Sequence, residues 1–278
     1  MARADIGREL EAGEDPAEDD LPMTIWEHLR ELRTRLIRSV LALIPTSMIA
    51  WEYKEQLLSF LVQPLIKAWV ALGLGEPTLH FANPVDPFMA YMQIAVVVGF
   101  IGASPWIFYQ LWMFIAPGLY QREKIYALPF VLASTIFFAG GSFFGYAVVF
   151  PLGFQTLLSL GGMLPTGDLR VQPTIMITEY LEFATRMLLA FGIVFEVPVV
   201  ISFLALAGIV NWKQLIGFGR WWIVIAAVIA GILTPSTDIG SQMMMLVPLI
   251  VLYYLGVLVA FLIGPKPEKE EEEPSEAS

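Results

Sequence analysis

The sequence predicts an all-α membrane protein that crosses the bilayer six times, with both termini on the cytoplasmic side. Hydrophobic residues make up 57% of the chain and charged residues only 15%, which is too apolar for a soluble domain. Several uncharged stretches reach about 20 residues, the length that a helix needs to span the hydrocarbon core. Basic residues gather between alternate stretches, which indicates the orientation.

The formal charge of -10 is concentrated at the two ends of the chain. Residues 1–20 hold eight acids and two arginines, and residues 265–278 hold six acids and two lysines. Segments with so few apolar residues are predicted to be disordered, over 1–22 and 265–278. The alternative is a specific acidic docking tail. Residues 23–264 form the predicted membrane domain.

Six spans follow the apolar stretches in order. The first, 35–53, becomes a span if Arg35 and Arg38 extend to one interface while Trp51 and Tyr53 anchor the other. The fifth has only about 14 apolar residues, roughly 21 Å, so the last two spans are predicted to be short and to thin the bilayer locally. The remaining predicted spans cover residues 88–112, 124–151, 178–208, 219–235 and 242–263.

The distribution of lysine and arginine sets the predicted orientation. Six spans place both tails and two short loops on one face, and that face holds most of the basic residues. The opposite loops hold only Lys54, Lys67 and Arg170. Basic residues are retained in the cytoplasm, so the first face is cytoplasmic. The outer segments 54–87 and 152–177, rich in Pro, Gly and aromatic residues, are predicted to form a cap of short helices and turns.

An amphipathic helix is predicted at the cytoplasmic interface, immediately before the first span. Its apolar residues recur at helical spacing and its other faces are charged. Glu31 lies among four arginines, where its carboxylate could accept an arriving guanidinium through two hydrogen bonds. The alternative is a salt bridge to Arg35, four residues further along the helix.

Glu123 lies in the loop between spans two and three, after a turn at Pro117-Gly118. It could be a second acceptor for a cation on the same face as Glu31. Alternatively, it is an acid in the first turn of span three, which the helix dipole favours.

Glu196 lies inside span four, where an ionised side chain costs at least about 2.5 kcal/mol. Pro198 follows it and is predicted to leave the carbonyl of Val194 without its helical donor. The site could therefore bind a cation, a proton or a polar segment of a partner. The alternative is a protonated Glu196 that hydrogen-bonds a neighbouring span.

Polar residues flank the tight turn between spans five and six. Thr234, Asp238 and Gln242 could contact a partner within the membrane, although Asp238 could simply cap the start of span six. Gly141 and Gly145 have the spacing of close helix contacts, which favours internal packing over dimerisation.

Motifs of enzymes and cofactor sites are missing from the sequence. It contains no phosphate-binding loop, no HExxH zinc pair and no cysteine, and its two histidines lie in different regions. We therefore expect neither an enzyme nor a metal or cofactor site, and no nucleic-acid partner.

Five short segments occur in a fixed order along the chain. They are His28-Leu-Arg-Glu-Leu-Arg-Thr-Arg-Leu36, Pro64, Tyr109-Gln110 through Phe114-Ile-Ala-Pro117 to Glu123, Phe195-Glu-Val-Pro198, and Thr234-Pro235 with Asp238. Together they resemble the TatC family, the multispanning receptor component of the twin-arginine protein translocase, over nearly all of residues 23–263.

The resemblance implies roles for these residues. Glu31 and Glu123 fall where the family binds the paired arginines of a signal peptide. Other positions that the family uses are those of Arg33, Phe114, Pro64 and Glu196.

The resemblance also implies a function in protein export. The chain would bind twin-arginine signal peptides of folded passengers and assemble, in several copies, with single-span partners that resemble TatA and TatB. Export would be driven by the proton motive force across the inner (cytoplasmic) membrane. The alternative function is a proton- or cation-coupled small-molecule transporter that uses Glu196, with a substrate cavity at the middle of the membrane.

Overall fold

The computed structural model describes residues 25–115, 127–163, 170–233 and 239–264, so both predicted tails lie outside the described residues. Its helices are α1 (Ile25–Glu52), α2 (Lys54–Ala71), α3 (Asp86–Ile115), α4 (Ala127–Phe144), a π-helical turn (Gly145–Val149), α5 (Phe150–Ser159), α6 (Ile177–Phe195), α7 (Val197–Leu206), α8 (Trp212–Leu233) and α9 (Ile239–Ile263). Two-residue strands are β1 (Leu79–His80), β2 (Gly162–Met163), β3 (Arg170–Val171) and β4 (Ile175–Met176). The predicted all-α class is confirmed.

Five helical segments are long and apolar enough to cross a membrane. They are Asp86–Ile115, Leu128–Ser159, Ile177–Leu206, Trp212–Leu233 and Gln242–Ile263, which match predicted spans two to six. The last two have 22 residues each, against 30 to 32 for the others, so they are the shorter spans, as predicted. Helix α8 begins earlier than predicted, and its length of about 33 Å exceeds the roughly 21 Å expected from the apolar stretch alone.

Helix α1 is continuous from Ile25 to Glu52. It therefore joins the predicted amphipathic helix and the predicted first span into one element. Its arginine-rich first half lowers its mean hydropathy, which is why it is not among the five apolar segments.

Helix α6 lies at the centre of the bundle. It packs against α3 and α4, while α1 lies along α3 and the hairpin of α8 and α9 packs through α9 on α7. Leu181, Ala184 and Phe191 of α6 have no exposed surface. Backbone contact between α6 and α4 requires small residues: a Cβ at Gly192 would lie 2.6 Å from the Phe138 ring, and one at Gly141 2.7 Å from the Phe195 side chain. The glycine spacing thus serves packing within the chain.

One end of the bundle, the cap end, carries α2 and the strands. Strand β1 pairs in parallel with β4, and β2 pairs with β3 in an antiparallel arrangement. The prediction of short helices and turns was wrong in part, because α2 is a single 18-residue helix and the third span continues to Ser159. The strands were not predicted, since two-residue pairings leave no periodic pattern in the sequence.

The opposite end, the basic end, carries the start of α1, the end of α3 and the link from α7 to α8. Arg30, Arg33 and Arg38 of α1 and Lys213 and Arg220 of α8 are exposed there.

Candidate functional site

The seam between α1 and α3 forms the first part of the candidate site. The two helices run antiparallel, and the ring pair of Trp51 and Phe88, 5.6 Å apart, marks its cap end. At the basic end the rings of His28 and Phe114 stack at 4.3 Å and 17°. This stacking fixes the start of α1 on the end of α3, so Phe114 lies at the same end of the seam as Glu31.

The two oxygens of the Glu31 carboxylate differ in their hydrogen bonding. Arg35 donates to Oε1 from Nε at 2.8 Å and from Nη2 at 2.5 Å. Oε2 is buried and has no hydrogen-bond partner in the described part of the chain. The predicted salt bridge is therefore present, but it leaves one carboxylate oxygen able to accept a further donor.

Of the other residues predicted for this group, Phe114 lies at the same end of the seam, and Arg33 is exposed on α1. Glu123 lies outside the described residues, so its distance from Glu31 stays untested.

Glu196 forms a second part of the site, at the junction of α6 and α7. Ser134 of α4 lies beside its carboxyl group. Ser134 in turn accepts the indole N–H of Trp112 at 3.0 Å, and both residues are buried. Glu196 Oε1 is buried without a partner among the residues that the structure describes. The three side chains link α3, α4 and the junction in the half of the bundle toward the basic end.

Sequence analysis missed Ser134 and Trp112 at this position. A serine inside an apolar stretch was the available signal, but neither spacing nor composition joins it to Glu196.

The expectation of a free carbonyl at Val194 was wrong. Backbone N–H groups at the Glu196 cap reach the carbonyl oxygens of Ile193 and Val194, because the helix tightens by one residue before Pro198. The site therefore offers the carboxyl group alone.

Gln242 lies within the hairpin of α8 and α9. Its Nε2 donates to the carbonyl of Ala227 at 3.1 Å, so the side chain joins the two helices. Thr234 and Asp238 lie in the turn outside the described residues.

Pro64 lies within α2 at the cap end, and two tyrosines donate to carbonyls in the turn before it. Proline has no N–H for the carbonyl four residues earlier, which is that of Phe60. The hydroxyl of Tyr146 donates to this carbonyl at 2.9 Å, and that of Tyr180 donates to Leu61 O at 2.6 Å. The two hydrogen bonds attach α2 to the membrane helices, and the one to Phe60 uses the carbonyl that Pro64 leaves free.

A groove between α4, α7 and α9 has a volume of about 510 Å³. Its lining is apolar and includes Phe130, Pro198 and Val259, and Glu196 is not part of it. A transporter coupled through Glu196 would need this carboxyl group in the substrate cavity. The alternative function therefore gains no support from the groove.

Comparison with known proteins decides the family. The model of the family described as Sec-independent protein translocase protein (TatC) matches residues 27–248. The chain belongs to the TatC family. It is thus a multi-pass membrane protein and a subunit of the twin-arginine translocase, as the sequence predicted.

Relatives and a solved structure are similar to this chain over most of its length. The TatC protein of Koribacter versatilis is 39% identical and that of Desulforapulum autotrophicum 40%, over 92% and 94% of this chain and 91% and 92% of theirs. The TatC protein of Aquifex aeolicus is 37% identical over 88% of this chain and 97% of its own. A crystal structure of the twin-arginine translocase receptor TatC has a TM-score of 0.71 at 37% identity, and covers 85% of this chain and 99% of that one.

Proposed function

We propose that this TatC chain is the receptor that binds twin-arginine signal peptides. The observation that carries the proposal is the open oxygen of Glu31, which is buried at the basic end beside the stacked rings of His28 and Phe114. A buried carboxylate oxygen without a donor favours a ligand that brings one. Arginine is suited to this, since its planar guanidinium presents five N–H groups.

In this mechanism each of two carboxylates receives one arginine of the peptide. Arg35 orients the Glu31 carboxylate through Oε1, and the arriving guanidinium donates to Oε2. Glu123 receives the second arginine, and Phe114 keeps α1 in place. Arg33, exposed on α1, donates to backbone carbonyls of the peptide. Lysine fits this geometry poorly because its ammonium is a compact point charge.

The basic end faces the cytoplasm in this proposal, and α1 is the first of six spans. The excess of lysine and arginine at that end supports this orientation in the inner membrane. Pro64 positions the cap helix on the outer side, and we assign Asp238, in the link from α8 to α9, to the same side.

Assembly with single-span partners similar to TatA and TatB uses the polar groups inside the membrane. Glu196 Oε1 is an open acceptor for a polar residue of a partner helix, and Thr234 and Gln242 mark a second contact on the hairpin. Several copies of the receptor assemble in one complex, and the proton motive force drives export.

Co-purification tests the contact at Glu196. The amount of single-span partner that co-purifies with the receptor should fall in Glu196→Leu and persist in the control Ser202→Ala.

Peptide binding to the purified full-length protein tests the receptor proposal. Peptides with Arg-Arg and Lys-Lys are compared on the wild type, Glu31→Gln, Glu123→Gln and the control Glu55→Gln, which removes an exposed carboxylate at the cap end. We expect both site variants to lose about tenfold or more in affinity for Arg-Arg, and the control to lose nothing. Equal, weak binding of both peptides to all four proteins would contradict the proposal.

A further inference from the structure

Gln110 is a buried amide near the basic end of α3. Its exposed fraction is 3%, and its Oε1 has no hydrogen-bond partner among the described residues. A buried amide oxygen without a donor destabilises a fold, so its presence inside an apolar helix requires an explanation.

The register of α1 on α3 places Gln110 opposite Glu31 and Arg35. A Cβ at Gly99 would lie 2.7 Å from the Cα of Ser47, which fixes one point of the register. The stacked pair of Phe114 and His28 fixes another. Gln110 follows Gly99 by eleven residues, about three helical turns, and therefore shares the face that packs on α1.

Position along the seam follows from the same two points. Gln110 lies about one turn from Phe114 toward the cap end, and the Glu31 to Arg35 turn lies next to His28 in the same direction. The two unpartnered oxygens, Gln110 Oε1 and Glu31 Oε2, thus belong to facing turns of antiparallel helices.

We propose that Gln110 is a binding residue of the peptide site, where its amide oxygen and Glu31 Oε2 accept N–H groups from one guanidinium. This inference rests on the proposed receptor function and adds a residue to it. Both oxygens are acceptors, so they cannot satisfy each other, and neither has a donor among the residues that the structure describes. A guanidinium carries donors on both edges of its plane and can serve a carboxylate and an amide together. An ammonium is less suited to bridging two separated acceptors. Gln110 therefore contributes to the choice of arginine over lysine.

Binding and stability separate a recognition role from a structural one. The variants are Gln110→Leu, which removes both polar atoms, and Gln110→Glu, which keeps an acceptor oxygen. The matched control is Gln93→Leu, because Gln93 lies on a different face of α3 and already donates to the Thr185 hydroxyl at 2.7 Å. Full-length protein in detergent is titrated with Arg-Arg and Lys-Lys peptides, and thermal unfolding is recorded for each variant.

We expect Gln110→Leu to weaken Arg-Arg binding about tenfold or more and to reduce the preference over Lys-Lys, with an unchanged or raised Tm. Gln110→Glu should retain the preference, and Gln93→Leu should bind as the wild type does. If Gln110→Leu does not yield folded protein, Gln110→Met carries the same prediction.

Two results would overturn the inference while leaving the receptor proposal in place. One is wild-type binding by Gln110→Leu when Glu31→Gln is weakened. The other is a fall in Tm with equal losses for both peptides, which would make Gln110 structural. Wild-type binding by Glu31→Gln would instead overturn the receptor proposal itself.

Discussion

The two ends of the bundle differ in whether their buried polar groups have hydrogen-bond partners. At the cap end, Tyr146 and Tyr180 donate to the carbonyls of Phe60 and Leu61 in α2. Toward the basic end, Glu31, Gln110 and Glu196 each keep a buried oxygen without a partner in the described part of the chain. Among the described residues the cap end has the indole N–H of Trp69, which is a donor. The hydroxyls of Ser47 in α1 and Ser104 in α3 are also buried without a partner there, between the two ends, but a hydroxyl can donate as well as accept.

This difference separates structural polar groups from recognition groups. A buried unpaired acceptor costs roughly 1–3 kcal/mol, so three of them in one half of a small membrane domain are a considerable destabilisation. Groups that only hold the fold together would be replaced by apolar ones at little cost. The open acceptors are consistent with ligands that bring donors, while the satisfied cap keeps the helices in register.

The largest expected effect is at the cap end. Tyr180→Phe removes a buried hydrogen bond to Leu61 O and should lower the free energy of unfolding by about 2 kcal/mol. Unfolding in a denaturing detergent measures it, with the exposed Tyr53→Phe as a control that removes the same atom. If the two variants were equally stable, the hydrogen bond at the cap end would not be a structural one, and the comparison between the two ends would fail.

Tyr146→Phe should cost about 1 kcal/mol, because its partner carbonyl lies in a more exposed position. The cost should shrink in a Pro64→Ala background, since residue 64 then has an N–H for the Phe60 carbonyl. A double-mutant cycle measures this coupling. Additive losses would mean that the tyrosine does not compensate for the proline.

Gln242→Leu should lower stability by about 0.6 kcal/mol, the typical worth of a hydrogen bond between membrane helices. The bond from Gln242 to Ala227 O is the one lost, and Met243→Leu on the same turn is the control. If Gln242→Leu lowered the free energy of unfolding as much as Tyr180→Phe does, this bond would stabilise the molecule as strongly as the bond at the cap end.

Glu31→Gln should change the free energy of unfolding least, by under about 0.5 kcal/mol, because a partly exposed ion pair within one helix contributes little. Arg35→Gln should have a similar effect on stability. A loss of several kcal/mol in either variant would show that the pair holds α1 on α3 and is not kept for recognition.

Much of the fold follows from local features of the sequence. Apolar length predicts five spans, with ends that differ from the observed ones by up to eight residues, and the spacing from Glu31 to Arg35 predicts their ion pair. The continuity of α1 was not predicted, because hydropathy drops in its arginine-rich half while the helical hydrogen bonds continue.

Contacts between residues that are far apart along the chain could not be predicted from the sequence. Tyr146 and Tyr180 meet α2 across 86 and 119 residues, and no periodic pattern marks such pairs. Gln110 belongs to one of the five short segments, but its burial and its unpartnered oxygen depend on the packing of α1 on α3, which the sequence does not predict. An amide in an otherwise apolar stretch was the signal that could have singled it out.

The most direct test of the central claim compares the preference for Arg-Arg over Lys-Lys peptides in Glu31→Gln and Tyr180→Phe. Titration of both variants and the wild type in detergent, at a temperature where all three are folded, gives the ratio of dissociation constants. We predict that Glu31→Gln loses the preference at near wild-type stability, while Tyr180→Phe keeps it despite being less stable. Loss of the preference in Tyr180→Phe together with its retention in Glu31→Gln would contradict the assignment of recognition to the basic end.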